Sequence, residues 1–143
     1  FINGNSPLLA ELRRNIAAGT ATRLVDGGEG AQAVLEVRSE AREKVIQALD
    51  SSGRVREYQL RYRVEFRVGN VKGEEWMPPT EIALTRDISF NDAQVLAKES
   101  EELLLYRDMQ TDAVQQILRR LQTTKLAAAT DQILIRLASL RSR

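Results

Sequence analysis

Residues 58–68 read Tyr-Gln-Leu-Arg-Tyr-Arg-Val-Glu-Phe-Arg-Val, and this stretch decides the fold. Apolar and polar side chains alternate along it without a break. A period of two sustained over this length is explained only by a β-strand with one buried face and one wet face. The aromatic side chains belong to the buried face and the arginines to the wet one. The sequence therefore predicts a sheet that is covered on one face.

Strands are predicted on both sides of this one along the chain. The Asp-Ser-Ser-Gly of residues 50–53 is a hairpin signal, and it favours a long strand over residues 34–49, although the charged middle of that segment leaves it ambiguous. Asn70 to Gly73 turns the chain into a further strand. Pro78-Pro79 cannot donate to a ladder, which indicates a sheet edge or a bulge there. The predicted strands are residues 22–25, 34–49, 58–68 and 76–88.

Two helices are predicted around these strands. Ser6-Pro7 combines a hydroxyl cap with a proline at the first helical position, and apolar residues then recur at helical spacing as far as Ile16. From Asp92 onward the period is again helical, with acidic residues early and basic residues late, as the helix dipole favours. The apolar stripe of this second helix consists of Leu96, Leu103, Tyr106, Met109, Ala113, Ile117 and Leu121.

The predicted architecture is α+β. It is a two-layer sandwich in which two main helices pack on a mostly antiparallel four-stranded sheet. We expect residues 1–123 to form this domain and residues 124–143 to form a C-terminal helical extension or tail. The possible extra C-terminal helix rests on a second amphipathic stripe, and a disordered tail is the alternative. That stripe consists of Leu126, Thr130, Ile133, Leu137 and Leu140.

The composition argues against catalysis. The 143 residues suit one domain and include neither cysteine nor histidine, which removes the usual zinc ligands, the cysteine nucleophile and the histidine general base. The neighbouring acids of Glu74-Glu75 and Glu101-Glu102 point in different directions, so neither pair converges on one atom. We expect no enzyme activity, no metal and no cofactor. A hydrolase that uses carboxylates is the alternative, and it would need acidic side chains that converge in a pocket.

Charge is distributed in blocks, although the formal net charge is only +1. Residues 51–70 contain five basic and two acidic side chains, whereas residues 71–112 contain four basic and ten acidic ones. On the wet face of the 58–68 strand, Arg61 and Arg63 form either a solvated surface or a cationic strip for an anionic partner such as phosphate. We expect no nucleic-acid partner, because the aromatic side chains lie on the opposite, buried face.

Several short motifs occur together in one order along most of the chain. They are Phe1-Ile2 followed by Ser6-Pro7-Leu8, then Glu57-Tyr58-Gln59, Ala97-Lys98-x-x-Glu101, Asp108-Met109, and the Ile-Leu-Arg-Arg-Leu of residues 117–121. Each motif alone is weakly specific, but the set in sequence is more so. In this combination, residues 1–121 resemble the LptE (RlpB) family, the lipopolysaccharide-assembly lipoproteins of Gram-negative outer membranes.

The resemblance implies a partner, a ligand and a location. The partner is the outer-membrane β-barrel protein LptD, which a member of this family plugs and helps to assemble. The ligand is lipopolysaccharide on its way into the outer leaflet. The location is the periplasmic face of the outer membrane, with attachment through an N-terminal lipid not present in this chain. The alternative is a generic periplasmic protein-interaction domain without a lipid ligand.

The resemblance also implies a binding site. Lys98 matches the family's lysine implicated in lipopolysaccharide contact, and a lysine near a helix start adds to the positive field of the helix dipole. The family's companion basic residue lies in the hairpin before the Glu-Tyr-Gln motif, where this chain has serines at 51 and 52. The other interpretation of Lys98 is an exposed lysine paired with Glu101 or Glu102. The predicted lipopolysaccharide-binding residues are Lys98, Arg54, Arg56, Arg61 and Arg63.

Overall fold

A computed structural model describes residues 6–18, 22–24, 33–70, 72–123 and 133–139. The elements in chain order are α1 (Pro7–Ala18), β1 (Thr22–Leu24), β2 (Ala33–Leu49), β3 (Val55–Gly69), β4 (Glu75–Ser89), a 3₁₀ turn (Asp92–Gln94), α2 (Val95–Thr123) and β5 (Ile133–Ser139). Two helices packed on an antiparallel sheet confirm the predicted α+β arrangement. The predicted strand tail at Phe1-Ile2 lies outside the described residues.

The prediction of four strands was wrong. The antiparallel part of the sheet has three long strands, since β2 pairs with β3 and β3 pairs with β4. Two short strands extend the sheet beyond β2 in parallel orientation, and the complete order is β1-β5-β2-β3-β4. The sequence pattern predicted β1 but not β5, which lies between β1 and β2 in the sheet.

The prediction of an extra C-terminal helix was also wrong over the part that is described. Ile133–Ser139 is a strand whose backbone pairs with both β1 and β2. Its sequence is a short apolar run containing two isoleucines, and periodicity alone does not distinguish a helix from a strand in so short a run. Residues 124–132 and 140–143 lie outside the described residues.

The core lies between the helices and one face of β3. Leu60, Tyr62, Val64 and Phe66 are fully buried, as the alternation predicts. Ser6 caps α1 by accepting a hydrogen bond from the Leu9 amide at 3.2 Å, and the buried side chains of α1 are leucines and Ile16. The buried stripe of α2 consists of Tyr106, Met109, Ala113, Val114, Ile117 and Leu121.

Two leucines of the predicted α2 stripe do not belong to the core. Leu96 is 80% exposed and Leu103 is 66% exposed. The reason is the placement of α1, whose Glu11 and Asn15 meet Gln110 and Gln115 of α2. Roughly the first three turns of α2 therefore extend past α1 and cover the sheet without a second helix beside them.

A bulge at Arg38 changes the direction of the side chains along β2. Val37 pairs with Phe66 and Ser39 with Glu65, so Arg38 is an extra residue in the ladder. Before the bulge, the apolar residues at 35 and 37 face the helices. After it, the side chains opposite Val64, Tyr62, Leu60 and Tyr58 are those of Glu40, Arg42, Lys44 and Ile46. The charged middle of β2 consequently points toward the helix layer.

The Pro78-Pro79 pair lies both at an edge and in a bulge, as predicted. β4 is the last strand of the sheet order, and its register with β3 shifts where Met77 and Thr80 pair on either side of the two prolines. Neither described helix is long and apolar enough to cross a bilayer.

Candidate functional site

Three of the five predicted binding residues lie at one end of the sheet, which we call the hairpin end. It comprises the β2–β3 turn at residues 50–54, the β4–α2 connection at residues 90–91 and the first turns of α2. The Phe90 amide donates to the Arg56 carbonyl at 2.8 Å, and the Phe90 ring meets the Tyr58 ring edge-on at 5.6 Å between centroids. These contacts hold the start of α2 against the hairpin.

Lys98 is mostly covered rather than free. Its Nζ donates to Ser89 Oγ at 2.9 Å and to Glu101 Oε2 at 3.0 Å, and 18% of the side chain is exposed. The pairing with Glu101 is the one predicted by the other interpretation of Lys98, that of a lysine paired with a neighbouring glutamate. An anion at this point would therefore meet a lysine whose charge is already shared with a carboxylate.

Arg54 and Arg56 are the accessible cations of the hairpin end. Asp50 accepts from the amides of Ser52 and Arg54, at 2.8 and 2.9 Å, and its second oxygen is 3.5 Å from Arg54 Nε. The Arg54 side chain is nevertheless 70% exposed. Arg56 is exposed as well, and the register places it as an extra residue of β3 opposite the interval between Ala48 and Leu49.

The hairpin end also exposes apolar surface. Ile46 is 59% exposed and Leu49 is 56% exposed, and Val95 and Leu96 at the start of α2 are 41% and 80% exposed. A small cavity of about 70 Å³ is lined by Tyr58, Phe90 and Lys98 among others. It has room for about two waters, so a larger ligand would bind across the surface.

Arg61 and Arg63 are not part of the hairpin end. They lie on the face of β2, β3 and β4 opposite the helices, which we call the open face. Arg61 is held by Gln59, which accepts from its Nε at 2.8 Å, and lies 3.8 Å from Glu43. Arg63 is exposed between Ala41 and Ala83 in the register, and among the described residues it has no ion pair. The structure thus divides the predicted set between two surfaces.

A partly buried polar cluster follows from the bulge in β2. The guanidinium of Arg42 lies over the rings of Tyr62 and Tyr106, at 5.9 and 5.1 Å from their centroids. Glu40 and the Tyr62 hydroxyl face each other, although neither Glu40 Oε2 nor Tyr62 Oη reaches a well-formed hydrogen bond among the described residues. Burial raises the pKa of Glu40 above its usual 4.5 and outweighs the nearby Arg42 charge, which lowers it.

We expect Glu40→Gln to stabilise the protein at neutral pH, by on the order of 0.5 kcal/mol. Because the pKa of Glu40 is higher in the folded state, folding is penalised above that pKa and the penalty disappears as the pH falls toward 4.5. Urea unfolding of both proteins between pH 7 and pH 4.5 measures the difference. It should shrink as the pH falls, and a constant difference would contradict the assignment. Glu81→Gln, an exposed change on the open face, is the control.

Sequence reasoning missed Lys44 and Arg86. Lys44 Nζ donates to Glu102 at 2.7 Å and lies 4.4 Å from the Tyr58 ring centroid, close to Lys98 in the same part of the fold. Arg86 reaches Asp108 and Asp112 of α2, at 3.7 and 3.3 Å. No motif marked either residue. The Lys44 position depends on the bulge, and the Arg86 position follows only from its register with buried Leu60.

The acidic pairs of the sequence do not converge. Glu101 binds Lys98 and the adjacent Glu102 binds Lys44, so the two carboxylates serve different ion pairs. Within the described ranges, no group of three or more acidic side chains is placed to hold a metal ion. Glu40, the acid with a raised pKa, faces tyrosine and arginine side chains rather than a second carboxylate.

The fold and these surfaces define a two-layer α+β binding domain, with paired charges and exposed apolar side chains at one end and a polar open face on the sheet. The family model of LptE, described as lipopolysaccharide-assembly, matches residues 1–121. The chain therefore belongs to the LptE family. This confirms the resemblance seen in the sequence motifs.

Solved structures agree with this assignment. Uncharacterized lipoprotein B from Nitrosomonas europaea is 42% identical, with a TM-score of 0.76 over 88% of this chain and 80% of that one. Rare lipoprotein B from Shewanella oneidensis is 25% identical, with a TM-score of 0.68 over 85% and 89% of the two chains. A minor lipoprotein from Acinetobacter baumannii, 21% identical, shares the fold with a TM-score of 0.65 over 88% and 86%. No curated protein matches the chain.

Proposed function

We propose that this protein is a non-enzymatic lipopolysaccharide-assembly factor. It binds lipopolysaccharide and works with an LptD-type outer-membrane β-barrel, which it plugs and helps to assemble. An N-terminal lipid outside this chain holds it at the periplasmic face of the outer membrane of a Gram-negative bacterium. The observation that carries the proposal is the LptE family match over residues 1–121, and the lipoprotein structures similar to the chain support the location.

The chemistry of the hairpin end supports lipopolysaccharide as the ligand. Lipopolysaccharide presents phosphates beside acyl chains, so its site needs cations beside exposed apolar groups. Arg54 and Arg56 supply accessible cations, while Ile46, Leu49 and Leu96 supply the apolar surface. Lys98 contributes in this proposal only if an anion displaces Glu101, because the lysine is already bonded in the free protein.

The open face supports contact with the interior of a barrel. The lumen of a transmembrane barrel is polar and suits a charged rather than an apolar surface. The open face carries ion pairs of Arg38 with Glu65 and of Arg61 with Glu43, and it leaves Arg63 exposed between two alanines. In this proposal Arg61 and Arg63 serve protein contact as readily as phosphate contact.

The experiment that tests the ligand is lipopolysaccharide binding by the purified domain. We expect the Arg54→Glu/Arg56→Glu variant to bind about tenfold more weakly or worse, since charge-assisted hydrogen bonds are each worth about 1.5–3 kcal/mol. We expect Lys98→Glu to lose binding as well, because it removes the lysine and leaves Glu101 unpaired. Arg107→Glu, an exposed charge reversal beside α1, is the matched control. Circular dichroism checks that each variant folds.

Binding by the parent protein and its loss in folded hairpin-end variants would support both the ligand and the site. Absence of binding by the parent protein at low salt would contradict the proposal that it binds lipopolysaccharide. The second candidate, a periplasmic protein-interaction domain without a lipid ligand, would then be favoured. The observation that favours this second candidate is that Lys98 is already hydrogen-bonded to Ser89 and Glu101.

A further inference from the structure

The outer edge of β4 is a long backbone edge that carries no pairing strand among the described residues. β4 is the last strand in the order β1-β5-β2-β3-β4. Its first part is blocked by Pro78-Pro79, which cannot donate hydrogen bonds to an added strand. The remaining ten residues, 80–89, span about 30 Å and contain no proline.

The register shows which backbone groups of β4 point outward. The Phe90 amide donates to the Arg56 carbonyl, and from that pair to Thr80 opposite Phe66 the register is unbroken. Bonded and non-bonded pairs alternate in an antiparallel ladder, so the even-numbered residues of this stretch bond to β3. The amides and carbonyls of the odd-numbered residues point away from the sheet. These residues are Glu81, Ala83, Thr85, Asp87 and Ser89, all with exposed side chains. The outward carbonyl of Thr85 accepts a hydrogen bond from the Arg86 guanidinium at 2.9 Å.

The charges along this edge are mostly acidic. Glu81 and Asp87 lie on the open face, and Asp108 and Asp112 of α2 lie on the helix side beside Arg86. Arg86 is the one basic side chain among these five, and its ion pairs already engage both aspartates of α2. Four of the ten acidic side chains of residues 71–112 thus lie along this part of β4 and the adjoining part of α2.

A second copy of the chain is disfavoured at this edge in the register centred on Leu84. A two-fold pairing of β4 with itself about Leu84 would place Glu81 of each copy opposite Asp87 of the other. Like charges directly opposite each other across strands are destabilising. A strand with basic residues at alternate positions instead meets complementary charge and complementary backbone groups.

We propose that the 80–89 edge of β4 binds an extended, lysine- or arginine-rich segment of a partner protein by adding it to the sheet as a further strand. Backbone hydrogen bonds from residues 81, 83, 85 and 87 provide the pairing, with the Arg86 guanidinium displaced from the Thr85 carbonyl, and acidic neighbours select a basic segment. The proposal is independent of lipopolysaccharide binding, because its pairing residues are absent from the hairpin-end set.

A capped eight-residue peptide of alternating lysine and valine is the probe. We expect the protein to bind it, and to bind at least tenfold more weakly both a peptide with glutamate in place of lysine and a lysine peptide N-methylated at every second residue. N-methylation keeps the charge but removes the amide donors of one peptide edge. Amide hydrogen exchange should slow at Ala83 and Thr85 on binding, and remain unchanged at residues 82 and 84, which already bond to β3.

Substitutions in β4 of the protein test the same proposal without changing the peptide. Ala83→Pro removes an outward amide and is expected to fold and lose the peptide, whereas Leu84→Pro removes a β3 bond and is expected to unfold. Equal binding of the methylated peptide, or protection of the even-numbered amides only, would overturn strand addition whether or not Ala83→Pro folds. Absence of peptide binding, or equal binding of the glutamate peptide, would overturn the choice of a basic partner.

Discussion

Replacing Phe66 by alanine is expected to lower the free energy of unfolding by about 3–5 kcal/mol. The ring is fully buried on the helix-facing side of β3, opposite Val37 on one neighbouring strand and Thr80 on the other. Its removal loses transfer free energy and leaves a cavity, because strands paired on both sides cannot collapse far into the space. Urea unfolding followed by circular dichroism measures the change.

The matched control for Phe66 lies on the same strand. Arg63→Ala alters an exposed side chain of the open face, so its effect should stay within about 0.5 kcal/mol. A loss below about 1 kcal/mol for Phe66→Ala would mean that this end of the sheet is not a close-packed core. A large loss for both variants would mean that β3 itself, rather than its buried face, is sensitive to substitution.

Gly69→Ala is expected to cost about 1–3 kcal/mol although it adds only one methyl group. A Cβ at this position would lie 2.5 Å from the Glu74 carbonyl oxygen. That oxygen accepts the Asn70 amide at 2.9 Å and closes the β3–β4 turn, so it cannot move away without breaking the turn. Thermal unfolding and the chemical shifts of residues around the turn measure the effect.

The control for Gly69 is a second glycine of the same turn. Gly73 has a φ of +89° with nothing within 4 Å of an added Cβ, so its requirement is conformational rather than steric. Asparagine tolerates this left-handed region, and Gly73→Asn should cost less than Gly69→Ala. The reverse order would show that backbone conformation, and not the contact with Glu74, dominates the turn.

The parts of the fold that were predictable have strong local periodicity. The alternation over residues 58–68 identified β3 and its buried face, and the Ser6-Pro7 pair identified the start of α1. β5 was not predictable in this way, because its short apolar run fits a helix as well as a strand. The strand assignment depends on pairing with β1 and β2, which is a tertiary effect.

The site was predictable only in part, for geometric reasons. The ordered set of motifs identified the family, and the pairing of Lys98 with Glu101 was one of the two interpretations of that lysine, but the sequence could not show that Ser89 would also accept from it. Arg61 and Arg63 were predicted as a cationic strip on the exposed face of the strand and Arg54 as a substitute for the family's basic hairpin residue, and they were placed in one set because each could pair with phosphate. Strand alternation places the first two on the open face, while the hairpin directs Arg54 to the end of the sheet.

Leu96 and Leu103 show a different limit of periodicity. Helical spacing indicates which residues share one side of a helix, but not how much of that side is covered by neighbours. Their exposure depends on where α1 ends relative to α2, which no pattern within α2 contains.

The extra residue at Arg38 acts on β2 as a frameshift acts on a coding sequence. Upstream of it, odd-numbered side chains face the helices, and downstream, as far as Ile46, the even-numbered ones do, so these two parts of the strand are read in different frames. The alternation of inward and outward side chains therefore changes phase within β2. This explains why the sequence of residues 34–49 showed no clean alternation of apolar and polar residues. Relatives can be compared across the middle of β2 only when this residue is the point of alignment, and a lineage that lost it would have to invert the inside and outside positions from Ser39 to Ile46, after which the register shifts again.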